Sequence, residues 1–294
     1  MTLEGFFNLN RPLILFLYGQ VFFVLGLAIF LQSRRHSRLK LARDLRWLAG
    51  FGILHGLHEW GLVFIPIQME YLTAVWQEVL LILQIWLLAT SYVSLVIFGA
   101  VLIEPKFRWS KPVMAGLIFI WVFFFGIPRF TLVETVVWAD QATLWARYLL
   151  GLPGALSSAY GLYLVAQLVE KEHSDRKFFR MLQTAGYALV AYGFFGGLIV
   201  SQRPFFPASV INQRALEGWI GLPVEVFRSL AGLVLAISII RALEIFEIEV
   251  DRLIEEMEIE AIRSAERDRI GQEIHDGAMQ GVYSVGLILN SLSP

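Results

Sequence analysis

Apolar residues fill the first 243 positions in long runs, and polar residues gather in short stretches between them. A helix that crosses a bilayer needs about 20 mostly apolar residues. Seven runs approach or exceed that measure: 12–32, 47–67, 73–103, 112–127, 142–169, 181–201 and 222–243. The fourth is short, and the third and fifth are long enough to tilt or to project beyond the bilayer. The pattern predicts an all-α fold whose first domain, 1–243, is a bundle of seven transmembrane helices.

After Leu243 the pattern changes. From Glu244 to Arg269 there are ten acidic residues, four arginines, and neither Gly nor Pro. Apolar residues recur at Leu243, Phe246, Val250, Leu253 and Met257, alternating steps of three and four. That is the seam of a two-stranded coiled coil. Glu260 and Ser264 fall where the seam would continue, which predicts a phase shift. Residues 244–268 are therefore expected to form a coiled-coil linker, and its start at the end of the seventh run would pass a rotation or piston shift of that helix onward. An amphipathic helix lying on the membrane is the plainer alternative, disfavoured by the mostly negative charge.

Composition fits a polytopic membrane protein: 57 % of residues are hydrophobic, 17 % are charged, and mean hydropathy is +0.63. Net charge is −1, so bulk charge points to no nucleic-acid partner. The absence of cysteine excludes disulfides, thiolate metal sites and cysteine nucleophiles. The first eleven residues lack the basic start of a cleavable signal. Lysine and arginine alternate loop by loop. Thirteen lie in 33–46, 104–111 and 170–180, against four in the intervening segments (Arg11, Arg129, Arg203 and Arg214). The richer side is expected to be cytoplasmic, which puts the N-terminus outside and the C-terminus inside the cell inner membrane. Outer loops this short leave no room for a folded extracellular sensor domain.

Ionisable residues inside spans are costly and mark candidate sites. His55, His58 and Glu59 share one face of the second run. Gln77 and Glu78 lie in the third, Arg147 in the fifth, and Glu225 and Arg228 in the seventh. His58, Glu59, Glu78, Arg147, Glu225 and Arg228 would fall in the outer half. Three readings stay open: a ligand or proton site, a metal or haem site, and structural glue in which Glu225 pairs with Arg228, Glu78 pairs with Arg147 and the histidines tie helices together. No metal is assigned. Gly52-x-x-x-Gly56 and Gly193-x-x-x-Gly197 are candidate close helix contacts. Trp60, Trp76, Trp138, Trp145 and Trp219 are expected as interfacial anchors, and His36 and His173 in basic loops need no special role.

The segment Glu266-Arg267-Asp268-Arg269-Ile270-Gly271-Gln272-Glu273-Ile274-His275-Asp276-Gly277-Ala278-Met279-Gln280 has apolar positions at helical spacing, with His275 beside them and Asp276 adjacent. A neutral imidazole held by a carboxylate is a nucleophile for phosphoryl groups, although an exposed His-Asp pair on a helix is common. The segment resembles the dimerisation and phosphoacceptor helix of sensor histidine kinases, in the subgroup that includes nitrate sensors and a membrane-fluidity thermosensor. Glu266, Arg267, Arg269, Ile270, His275, Asp276 and Gln280 match that pattern.

The resemblance covers about 25 residues and implies His275 as phosphoacceptor, Asp276 as general base and orienting group, and Gln280 as the residue that positions water for phosphatase activity. It also implies a homodimer, a response-regulator partner and a phosphoacceptor domain of which 269–294 is the first helix of a dimeric four-helix bundle. ATP and Mg²⁺ would bind through a C-terminal domain that these residues lack, so the sequence reads as a fragment, inactive alone. A seven-span transporter and a non-enzymatic receptor with a dimerising tail are the rival readings.

Overall fold

The computed structural model describes residues 3–35, 40–126, 134–172 and 176–291. His36, Arg38, Arg129 and His173 lie outside them. Among the described residues the fold is all-helical, and the only bridge between extended segments joins Val200 to Asn212. They divide into two compact units, Met1–Leu243 and Glu244–Pro294.

A short helix α1 (Leu3–Leu9) precedes α2 (Arg11–Arg35), α3 (Lys40–Met69) and α4 (Ala74–Ile103). Helix α5 (Ser110–Trp121) ends in a π-helical turn, Val122–Gly126. Helix α6 (Thr135–Ala146) passes through a second π turn, Arg147–Gly151, into α7 (Leu152–Glu172). Helix α8 (Arg176–Tyr192) ends in a third, Gly193–Leu198, and α9 (Gln213–Ile220) and α10 (Val224–Ser291) follow. Five helical stretches are long and apolar enough to cross a membrane: Arg11–Ser33, Arg43–Met69, Ala74–Ile103, Thr135–Leu168 and Val224–Ile245. Ser110–Gly126 is apolar but shorter. The fifth expected run thus begins earlier than expected, because 135–141, read as a loop, is helical.

Helix α2 illustrates why such segments need an apolar environment. Tyr18, Phe22, Leu25 and Ile29 are fully buried on one face, while Leu13, Leu17, Leu27 and Leu31 are exposed on the others. A helix that is apolar all round suits burial or lipid, not water. In the first unit, α2 packs on α3, α3 on α4, α4 on α7 and α7 on α8.

The α2–α3 seam is set by glycines. A Cβ on Gly26 would sit 2.5 Å from the Ile53 nitrogen and 2.6 Å from the Ala49 oxygen. One on Gly56 would sit 2.7 Å from the Gly19 oxygen. Gly52 lies equally close to the Phe22 oxygen, so the Gly52/Gly56 pair does bring backbones together. Gly193 and Gly197 similarly face Ala155 and Leu152 of α7.

Turns are closed by polar side chains. Gln77 Nε2 donates to the carbonyls of Met69 and Leu72 at 2.8 and 3.1 Å, serving groups left open where α3 ends. Asn212 caps α9 by accepting from the Ala215 amide at 2.9 Å. Gly221 ends that helix in the left-handed region at φ 74°.

Candidate functional site

His55 is the hub of a buried polar cluster. It comes from the middle of α3, where the neighbouring α2, α4 and α8 each send a tyrosine or serine toward it. Its Nε2 lies 2.9 Å from the Tyr18 hydroxyl and 2.8 Å from the Tyr192 hydroxyl. Its Nδ1 lies 3.3 Å from Ser91 Oγ. Ser91 spends its own proton on the Leu88 carbonyl at 2.7 Å. Toward His55 it therefore accepts, so Nδ1 carries the ring proton and Nε2 offers the lone pair. Phe22, Phe51 and Tyr92 pack round the imidazole with ring centroids 5.0, 5.2 and 5.6 Å away. The ring is fully buried.

His58 and Glu59 share the expected face and are buried with it. His58 Nδ1 donates to the Gln84 carbonyl at 2.9 Å, tying α3 to α4. Glu59 Oε1 lies 3.5 Å from His55 Nε2, beyond a good hydrogen bond, and has no hydrogen-bond partner; Gln84 Nε2 is likewise unpartnered. Among the described residues no group of three or more His, Asp or Glu side chains is arranged to hold a metal ion.

The ion pairs of the structural-glue reading are replaced by others. Glu225 pairs with Arg11 at 2.7 Å, not with Arg228. Glu78 accepts a hydrogen bond from Thr135, and Arg147 does not reach it. Arg147 instead donates to the Gly196 carbonyl at 2.8 Å. Arg228 donates to the carbonyls of Phe195 and Ile199 at 2.8 and 2.9 Å. All three carbonyls belong to the π turn that ends α8 and the residue after it. The last turn of a helix has unbonded carbonyls and the negative end of the macrodipole. Two buried guanidinium groups thus find acceptors without a carboxylate, one of the solutions open to charges in apolar surroundings.

Tyr18, Ser91, Tyr92 and Tyr192 were not singled out from the sequence. The available signal was a tyrosine in the middle of an apolar run, whose hydroxyl must find a partner once buried.

In the second unit, His275 and Asp276 lie on α10 with side chains 73 % and 76 % exposed. His275 Nδ1 is 3.3 Å from Asp276 Oδ1. Gln280 is exposed on the same helix. Arg269 bridges Glu266 at 2.6 Å and Glu273 at 2.9 Å along one helix face. The hydrogen bond from Arg269 holds the Glu266 carboxyl below its ordinary value of 4.5. Of the proposed seam, Leu243 is buried and Met257 exposed, and the side chains of Phe246, Val250 and Leu253 lie outside those described. Every described side chain from 255 to 285 is exposed, including Ile259, Ile262, Ile270, Ile274, Val282 and Val285.

No protein-family model, curated protein or solved structure matches the chain.

Proposed function

We propose that the chain is the sensor and phosphoacceptor portion of a membrane histidine kinase of a two-component system. The observation that carries this reading is the segment from Glu266 to Gln280, with His275 exposed on an uninterrupted helix and its Nδ1 against Asp276. A carboxylate at Nδ1 keeps the ring proton there and leaves Nε2 with a free lone pair, the atom that would form the N–P bond. Gln280 would orient water for the reverse hydrolysis. The phosphoryl group would pass from His275 to an aspartate of a response regulator.

On this reading residues 1–243 cross the inner membrane seven times, with α5 and α8 completing the five longer helices. The N-terminus is outside and the tail is cytoplasmic. Supporting this are the loop-by-loop alternation of Lys and Arg and the apolar outward faces of the helices. The tail pairs with a second copy through a coiled coil and then the phosphoacceptor bundle. The exposed row of isoleucines and valines supports that pairing, since one helix alone leaves them in water. ATP and Mg²⁺ do not fit these residues: 255–285 form one helix with every described side chain exposed and offer no enclosing seat for a nucleotide. A separate ATP-binding domain would serve His275. The buried His55 cluster would couple stimulus to helix position.

The test is acid-labile phosphate on His275. Wild-type protein isolated from its own membranes should carry it by mass spectrometry under neutral conditions, and His275→Gln should not. An unphosphorylated His275 throughout growth, or unchanged labelling in the variant, would overturn the assignment.

A further inference from the structure

Segment 199–212 and α9 close one end of the first unit beside the starts of α2 and α10. Two cavities lie there. The wider, about 700 Å³, is bordered by Arg11 of α2, Arg203 of the segment, and Gln213, Arg214 and Glu217 of α9. Sites for small molecules commonly span about 300–1,000 Å³. The narrower, about 110 Å³, shares Ser201, Arg203 and Gln213 with the first and extends to Asp140, Thr143 and the buried Arg147. Four arginines border the two cavities against two carboxylates.

The guanidinium groups are not saturated. Arg203 bonds Asp140 through one terminal nitrogen, yet its Nε is buried without a partner. Arg214 makes one long hydrogen bond, 3.3 Å to Gln202, and no carboxylate lies within ion-pair range of it among the described residues. Arg147 meets a single carbonyl. A guanidinium has five N–H donors in a planar fork that matches carboxylate and phosphate oxygens.

We propose that this double cavity binds a small organic anion through a carboxylate or phosphate group. The oxyanion sits on Arg203 where the cavities meet, and the rest of the molecule lies in the wider one beside Arg214. The site belongs to residues 1–243 alone and stands whatever the tail does, so its failure would not touch the kinase reading. The same chemistry can arrive on a soluble anion or on a lipid headgroup.

Trp145, which stacks on Phe205 at 5.9 Å beside the cavities, supplies an optical reporter. The full chain, purified in a neutral maltoside detergent, is titrated separately with succinate, citrate, inorganic phosphate and phosphatidylglycerol. Tryptophan emission and the thermal midpoint are followed. At least one probe should give a saturable change and raise the midpoint. Arg203→Gln/Arg214→Gln should weaken it about tenfold or more, or 1.4 kcal/mol. Arg203→Lys/Arg214→Lys should retain weaker binding, since charge survives and the fork does not.

Midpoints without probe report folding. If the glutamine pair unfolds, Arg214→Gln alone must still weaken binding. A response to the free anions identifies a soluble ligand, and a response to phosphatidylglycerol alone identifies a headgroup. No saturable response to any probe up to about 10 mM, or wild-type affinity in the glutamine variants, would overturn the site.

Discussion

His55 satisfies three hydroxyl-bearing neighbours from three helices, and its removal should show how much of the bundle hangs on one ring. His55→Ala takes the Nε2 acceptor away from the Tyr18 and Tyr192 hydroxyls and opens a cavity among Phe22, Phe51 and Tyr92. Leaving a buried polar group unpaired costs about 1–3 kcal/mol. Tyr18→Phe removes one donor and leaves the ring in place, so its cost should be nearer 1 kcal/mol. Thermal unfolding in detergent should rank His55→Ala well below Tyr18→Phe. The opposite order would mean that the hydroxyls are satisfied elsewhere. The sequence marked His55, His58 and Glu59 by their charge in apolar company, but it could not supply their partners. Tyr18, Ser91 and Tyr192 are distant from His55 along the chain, and a tyrosine inside an apolar run signals that its hydroxyl needs a partner without saying which.

Among elements, the long apolar helices were legible and their irregularities were not. Runs 12–32 and 47–67 fall within α2 and α3, and 73–103 matches α4 but for its capping Thr73, because length and uniform apolarity identify a helix able to cross a bilayer with little else needed. The π turns at 122–126, 147–151 and 193–198 widen the helix without a compositional mark. The last of them and the residue after it supply the carbonyls that Arg147 and Arg228 bind, so the glue reading, with its pairs to Glu78 and Glu225, missed a set of acceptors that the sequence does not display. Helix α9 was hidden because it is short and polar on one side.

The glycine seam yields a sharper expectation. Gly26→Val drives a side chain into the backbone of α3, where neither Ile53 nor Ala49 can give way. Overpacking of this kind typically costs about 1–3 kcal/mol. Gly116→Val, which meets nothing within 4 Å, is the control. Comparable losses of folded yield in both would show that valine in place of glycine, and not the α2–α3 contact, is at fault.

For the whole molecule, the absence of cysteine makes orientation directly measurable. Ser209→Cys and Ser264→Cys both introduce a thiol at an exposed position. On the proposed topology, a membrane-impermeant maleimide labels the first in intact cells and the second only after permeabilisation. The reverse result would put the tail outside, beyond the reach of any cytoplasmic phosphoryl donor.

Helices α2 and α3 approach through backbone at Gly26, Gly52 and Gly56, where an added Cβ would lie 2.5, 2.7 and 2.7 Å from the nearest main-chain atom of the facing helix. Such a joint cannot slide or twist in small steps, because main-chain atoms would collide first. On the proposed reading the pair would be the stator of the bundle. On the proposed sensor reading, displacement would fall instead on segment 199–212 and the first turns of α10, where Arg228 can let go of one carbonyl and take hold of the next.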